Sequence, residues 1–277
     1  MSNITLNVST GDSLLYKSST SKGNQEKWVV TYAGSRLYVK ADRHGYESIA
    51  EVVAGLFLEC VEDADFVRYF LCTVDTGNSK QYGCYSHDML AEGESLFSVY
   101  NLLKKKYRDI DSLLIGLKGK SLYDFVVKEV KNLTGVDIRS YLRFLLLVDA
   151  VLLNEDRHLE NIALIHSSDG SFRVSPIFDN GLSLLADAKL YRMTVDYTKL
   201  IHTVNAKPFD KDFINQLSYC QGDNILKVRY KALIDKLNAF DLGYKSEGRI
   251  KSFYRAGDVL MYRLKELEGV VWEKKRI

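Results

Sequence analysis

The chain has 277 residues, and its 46% hydrophobic content is ample for one large domain or two lobes. Lys plus Arg is 38 against 36 for Asp plus Glu, and a net charge of +2 gives no argument for a nucleic-acid partner or an acidic membrane. No apolar run approaches the ~18 residues of a membrane span, and the polar start lacks the apolar stretch of a signal peptide. Cys60, Cys72, Cys84 and Cys220 show no metal or Cys-x-x-Cys spacing and read as reduced thiols. The location expected is cytoplasmic, with export as an effector lacking a cleaved signal left open. Pro176 and Pro208 are the only prolines, and no Gly/Ser-rich linker or repeat is present. Any boundary between lobes is therefore a tight hinge.

Ser18-Ser19-Thr20-Ser21 is a short low-complexity patch. With Gly23 the one glycine of segment 18–24, its backbone amides can form an anion nest; the alternative is a solvated hairpin tip. Trp28 to Ala33 and Arg36 to Lys40 are β-rich runs around Gly34-Ser35, an antiparallel hairpin. Leu37 and Val39 share one face of the second strand, while Arg36, Tyr38 and Lys40 share the other. After Gly45, the residues Ile49, Val52, Val53, Leu56 and Phe57 recur at helical spacing through Glu59. Phe66 to Val74 reads as a buried strand and Tyr82 to Asp88 as a connection. From about residue 94 the pattern turns helical. Ser121 caps a helix that stops at Gly135, and Asp137 caps the next, which is apolar all round from Phe144 to Leu153. Asp149 lies inside that apolar helix and needs a partner such as Arg or a backbone donor. Further helices are expected over Asp210 to Tyr219, Asn224 to Phe240 and Glu247 to Leu267. A small β-rich lobe over residues 1–90 and a larger helical lobe over 91–277 make a bilobal α+β plan.

The chemistry concentrates in Asn154-Glu155-Asp156-Arg157-His158-Leu159-Glu160-Asn161 and Phe178-Asp179-Asn180-Gly181. Between them Ile162 to His166, a Ser-Ser-Asp-Gly turn and Phe172 to Val174 read as a β-hairpin. A two-residue Asp169-Gly170 turn would place Asn161 opposite Phe178, beside Asp179, with Asp156 on the entering loop. Pro176 weakens ladder pairing just before the site. Two oxygen ligands and a spare carboxylate suit Mg²⁺ and a base aimed at an acceptor hydroxyl, the needs of ATP-dependent phosphoryl transfer. A surface hairpin with a polar loop is the bland alternative. His158 reads as a metal ligand or base, or as a buried hydrogen-bonding residue that shapes the loop.

Asp156-Arg157-His158-x-x-Asn161 followed by Phe178-Asp179-x-Gly181 resembles the catalytic and metal-binding segments of HipA-like serine/threonine kinases. Ser21-Lys22-Gly23-Asn24-Gln25-Glu26-Lys27 resembles that family's Gly-x-Gln-x-Lys phosphate-binding loop. Lys40 ending a strand and Glu47 opening a helix match in the same order. The resemblance covers residues 18 to about 185, leaves the last third as generic helix, and fits compact members lacking the N-terminal subdomain of full-length toxins. It implies a protein-kinase-like or phosphoinositide-kinase-like fold and an ATP- and Mg²⁺-dependent protein kinase. In it Asp156 is the general base, and Asn161 and Asp179 hold the metal. Lys40 contacts the α- and β-phosphates and is held by Glu47, with Glu51 a rival partner. Ser21, Lys22, Gly23 and Asn24 lie against the nucleotide, and self-phosphorylation falls on Ser18, Ser19, Thr20 or Ser21. A protein substrate is expected, together with an antitoxin or other regulatory partner.

Two rivals remain at this level. The Asp-Arg-His-x-x-Asn string also occurs in phosphatidylinositol kinases, so a lipid or small-molecule kinase is one. Against lipid, the only basic clusters are Lys104-Lys105-Lys106 and the Lys274-Lys275-Arg276 tail. The other is a non-catalytic, toxin-neutralising module, which has no chemical need for Asp156, Asn161 and Asp179 together.

Overall fold

The computed structural model describes residues 4–9, 14–15, 26–222, 224–243 and 246–274. Candidate residues Ser21, Lys22, Gly23 and Asn24, and the hydroxyl patch 18–21, lie outside them. The N-terminal part is a six-stranded sheet in the order β1-β5-β6-β4-β3-β2. Its strands are β1 (Ile4–Asn7), β2 (Leu14–Leu15), β3 (Lys27–Tyr32), β4 (Ser35–Ala41), β5 (Phe70–Asp75) and β6 (Lys80–His87), with helix α1 (Glu47–Leu58) between β4 and β5. Only β1 and β5 pair in parallel; the other neighbours are antiparallel. The expected β3–β4 hairpin forms one residue earlier than the sequence suggested. Its turn is Ala33-Gly34, with φ of 48° and 78°, the twist that a two-residue hairpin loop demands.

The alternation in β4 is as the sequence predicts: Leu37 and Val39 are buried in an apolar cluster with Trp28, Val30, Cys72 and Val74. Residues Tyr82 to Asp88 correct the expectation of a connection. Most of them belong to β6, which pairs with both β4 and β5. The polar and glycine content of that run hid the strand. Gly83 has a structural reason: a Cβ there would stand 2.2 Å from the Lys40 carbonyl oxygen and 2.7 Å from a Val74 methyl. Only glycine lets β6 approach β4 so closely at the lysine.

The C-terminal part is mainly helical. It contains α2 (Val99–Lys106), α3 (Ile110–Gly116), α4 (Lys120–Thr134), α5 (Arg139–Leu152), α6 (Tyr197–Leu200), α7 (Phe213–Leu217), α8 (Tyr230–Ala239) and α9 (Glu247–Leu267). A three-stranded antiparallel sheet joins β7 (Ser95–Ser98), β8 (Ala163–His166) and β9 (Phe172–Val174), and β10 (Leu226–Val228) pairs in parallel with β11 (Trp272–Lys274). Residues 95–98 are thus strand where helix was expected, as are 226–228. Helix α4 begins at Lys120 and ends in a left-handed Gly135, the stop its sequence announced. Asp137 accepts the Arg139 N–H, while Ile138 takes the cap position of α5.

Helix α5 is the buried axis: Leu142, Leu145, Leu146, Val148, Ala150, Val151 and Leu152 have no exposed surface. Helix α1 contributes Ile49, Ala50, Val53 and Phe57 to the same large core, so it belongs to the packing of both parts. Helix α9 fastens the assembly through three buried arginines. Arg249 binds Asp42 at 2.6 Å and the Ser48 hydroxyl at 2.7 Å. Arg255 donates to the carbonyls of Arg192, Met193 and Val195. Arg263 donates to the Ala150 carbonyl in α5. Among the described residues no helix is long and apolar enough to cross a membrane.

Asp42 gives this packing a pH dependence. Burial pushes its carboxyl from 3.8 up to about 6, with Arg249 opposing the shift. Because the folded value lies above the unfolded one, the folded state binds this proton more readily. The contribution is fully present below the unfolded pKa and is lost as pH rises through about 6. Urea denaturation at pH 4 and pH 7 should therefore show wild type losing up to about 3 kcal/mol relative to Asp42→Asn over that interval. A difference that stays flat removes the carboxylate from the account.

Candidate active site

The catalytic-loop candidates are organised around one guanidinium. Helix α5 ends in left-handed Leu153 (φ 55°) and delivers the chain to buried Asn154. Arg157 then turns inward and is fully buried. Its Nε and Nη2 bind the Asp149 carboxylate at 3.0 and 3.1 Å. Nη1 donates to the carbonyls of Asn161 (3.0 Å) and Phe178 (2.7 Å), and Nη2 also reaches Asn180 Oδ1 at 2.7 Å. All five guanidinium N–H donors are used. Burial works against the charge, but the Asp149 carboxylate holds the Arg157 pKa above its ordinary range. The partner expected for Asp149 inside its apolar helix is this arginine.

Through Arg157 the two motif segments become one unit. Asn161 and the residue before Asp179 hang from the same Nη1 atom. The hairpin register itself is offset from expectation. Leu164 pairs with Val174, and the loop between β8 and β9 runs from Ser167 to Ser171 rather than being a two-residue turn. Continuing that register sets Asn161 opposite Ile177, not Phe178. Asn161 donates its side-chain amide to the Asp156 carbonyl at 3.0 Å. Its Oδ1 accepts no hydrogen bond from the described residues.

Asp156 sits at the mouth of the loop with its side chain 22% exposed. Its backbone N–H is held by Asn154 Oδ1 at 3.0 Å. One carboxylate oxygen binds Lys207 Nζ at 3.0 Å, and the other lies 3.6 Å from His158 Nε2. His158 is half-buried beside Asp156, and the loop-shaping work belongs to Arg157 instead.

Asp179 occupies left-handed backbone (φ 59°), a conformation costly for a non-glycine residue. Its carboxylate is gripped by Lys27 and Lys40, each at 2.8 Å. These lysines face each other directly across the β3–β4 pair, and Asp179 between them relieves the repulsion. Lys40 is buried, with its ammonium 4.6 Å from the centre of the Tyr69 ring. Burial pulls its pKa down, but Asp179 and Glu51 outweigh that and hold it well above the ordinary lysine value. Burial likewise raises Asp179, and the two lysines overcome it, leaving the carboxyl well below its usual range.

The lysine's partner in α1 is Glu51, not Glu47. Glu51 Oε1 binds Lys40 Nζ at 2.7 Å, and Oε2 accepts the Asn180 backbone N–H at 2.9 Å. Glu47 faces the helix's own start, accepting N–H bonds from Arg43, His44 and Gly45. This is capping chemistry, satisfying amides just ahead of α1. Gly45 permits it, because a Cβ there would fall 2.1 Å from the Ala186 carbonyl oxygen. Lys207 was missed entirely. It lies far along the chain, and no motif or periodicity marks it.

The donors at Asn161 and Asp179 suit a hard cation: an amide oxygen without a hydrogen-bond donor and a carboxylate that already draws two positive charges. Mg²⁺ characteristically takes one or two protein oxygens and completes its shell with phosphate and water. Among the described residues no cluster of three or more His, Cys, Asp or Glu could hold a metal by itself, so a wholly protein-built cage is not offered.

No protein-family model and no curated sequence matches the chain. A solved structure does: the Helicobacter pylori proinflammatory kinase CtkA. It aligns over 96% of this chain and 99% of that one, with a TM-score of 0.58 and 15% identity. The chain has a kinase-like fold, a β-sheet N-terminal lobe on a helical C-terminal part.

The buried Asp149–Arg157 pair should be costly to break. Asp149→Ala strands the guanidinium in the core and should lower the unfolding free energy by about 3–5 kcal/mol, read by chemical denaturation. A loss below about 1 kcal/mol would mean that the pair does not hold the loop.

Proposed function

We propose that the chain is an ATP- and Mg²⁺-dependent protein serine/threonine kinase of the HipA-like type, with its lobes meeting near residue 90. The observation that carries this reading is that one buried guanidinium ties the Asn161 turn to the segment entering Asp179, with Asp156 joined to Asn161 through its carbonyl and the Lys40–Glu51 pair bound to Asp179. The kinase-like fold supports it. A toxin-neutralising or purely structural module has no use for an ammonium and three metal- and proton-handling groups arranged in this way.

Each residue has a part that its surroundings prepare. Lys40, held cationic by its acidic neighbours, binds nucleotide phosphates, and Glu51 fixes it to α1. Asp156 accepts the proton of the acceptor hydroxyl, on a backbone that Asn154 and Asn161 hold in place. Asn161 and Asp179 would hold Mg²⁺, which when bound offsets negative charge on the phosphates. Most of the rate then comes from positioning and charge complementarity. The acceptor is a serine or threonine of a protein, the setting is cytoplasmic, and an antitoxin-like partner regulates the enzyme. Residues 21–27, which resemble the family's phosphate loop, are assigned to the nucleotide phosphates in this reading, and the four hydroxyls of 18–21 lead into them. A phosphate there adds about −1.5 to −2 charges, so self-phosphorylation at Ser18, Ser19, Thr20 or Ser21 would repel ATP and silence the enzyme.

Two acid variants separate binding from chemistry. Asp156→Asn should keep Mg-ATP affinity in calorimetry while transfer to protein in a cell lysate falls by ~10² or more. Asp179→Asn should weaken Mg-ATP binding itself. Equal loss of binding in the two variants, or label appearing only in lipid or soluble products, would overturn the assignment.

Mass spectrometry after incubation with Mg-ATP tests the self-modification. Phosphate within residues 18–21 is expected in wild type and not in Asp156→Asn. An unmodified segment in an active preparation counts against it.

A further inference from the structure

Lys207 reaches Asp156 from a part of the chain that carries none of the motif residues. Its Nζ stands 3.0 Å from Asp156 Oδ1, on a side chain 49% exposed. The backbone beneath it is fixed. Val204, Ala206 and Phe209 are buried on either side. Ala206 N–H donates to the Lys211 carbonyl at 2.8 Å, and the Phe209 carbonyl accepts from Gly119 N–H at 3.1 Å. An anchored loop thus presents one half-exposed, flexible ammonium to the candidate base.

An ion pair so open to solvent contributes little to stability, so the fold does not require it. Function gives it a use. The other two ammoniums of the site, Lys27 and Lys40, lie on the sheet side and bind Asp179. Lys207 comes from the helical side and meets the acceptor end. A phosphoryl group passing to a hydroxyl beside Asp156 spreads negative charge over its equatorial oxygens. No other cation among the described residues makes a salt bridge to Asp156 apart from His158, at 3.6 Å.

We propose that Lys207 is a catalytic residue, whose ammonium leaves Asp156 and contacts the phosphoryl group during transfer. The inference rests on the kinase reading above. The acceptor oxygen–phosphorus bond forms as the bond from phosphorus to the bridging oxygen of ATP breaks. ADP departs with that oxygen, the hydroxyl proton goes to Asp156, and Lys207 keeps all its protons. Its role is to meet charge that appears in the transition state and is weaker in bound ATP, so its loss is a loss of turnover rather than of binding.

The test uses the full chain as wild type, Lys207→Ala, Lys207→Arg and Asp156→Asn, each first shown to melt like wild type. Calorimetry measures Mg-ATP, then Mg-ADP with aluminium fluoride as the transition-state mimic, and ADP release measures turnover with dephosphorylated casein as acceptor. Lys207→Ala should bind Mg-ATP within about threefold of wild type, lose tenfold or more in affinity for the fluoride complex, and turn over ~10²-fold more slowly. Lys207→Arg should recover about a tenth or more of the rate, since it keeps the charge. Wild-type or faster turnover in Lys207→Ala would show an idle or inhibitory ion pair, and a loss confined to Mg-ATP affinity would show a ground-state contact; either overturns the proposal. A wild type without ADP release beyond that of Asp156→Asn overturns the kinase reading itself, and Lys207's role with it.

Discussion

The contact on which the site depends is the guanidinium of Arg157 against the carboxylate of Asp149. A charge in the middle of an otherwise apolar helix is tolerable only when its partner is delivered in full. Arg157 does so and still has donors left for two backbone carbonyls and one side-chain amide. Those remaining donors tie together the turn ending at Asn161 and the segment that leads into Asp179. Lysine in that place could not do the same, because three donors on one nitrogen cannot reach the carboxylate and three oxygens lying in different directions. This ion pair, the most buried among the described residues, is therefore best understood as a positioning device.

A second balance operates at the sheet. Lys27 and Lys40 sit opposite each other on antiparallel strands, an arrangement unfavourable on its own. Asp179 and Glu51 bring the formal charge of the four groups to zero, and each carboxylate also has a structural errand. Glu51 holds the Asn180 N–H, while the backbone of Asp179 is constrained in left-handed geometry. Displacing α1 would separate Glu51 from Lys40 and from the Asp179-Asn180 segment together. The helix is packed into the large core and held at its start by Arg249 of α9. The far C-terminal helix, which carries no motif, thus fixes the position of a glutamate at the centre of the site.

Much of this was legible in the sequence where a local rule operates. The β3–β4 alternation, α1, the Gly135 stop, the apolar run of α5 and the limits of α9 all follow from periodicity and caps. The unread parts share a physical cause: each is decided by neighbours distant along the chain. Residues 80–87 look too polar for an interior strand, yet Gly83 fits because a carbonyl of β4 leaves no room for a side chain. Strand β7 is recognisable only through its partner β8. In the site, Asp149 announced its need for a cation, and the motif supplied Arg157. The choice between Glu47 and Glu51 was open because they lie one helical turn apart. It was settled by Gly45 and its neighbours, whose amides claim Glu47. Lys207 had no signal, since neither spacing nor composition links it to Asp156.

The charge arrangement also bears on how such a site accepts a highly anionic ligand. With Lys27, Lys40 and Lys207 all engaged by carboxylates, the site presents little free positive charge as it stands. On the kinase reading, Asp179 would hold the dication that accompanies a nucleotide, and Lys27 and Lys40, released from it, would meet the phosphates. Such an exchange would keep these buried groups paired before and after, avoiding the desolvation penalty of a bare charge. Glu51 does not take part in it, because its second oxygen is committed to the Asn180 backbone. Glu51 would therefore hold Lys40 to α1 throughout, and on the kinase reading the ammonium's remaining N–H bonds would turn from Asp179 to phosphate.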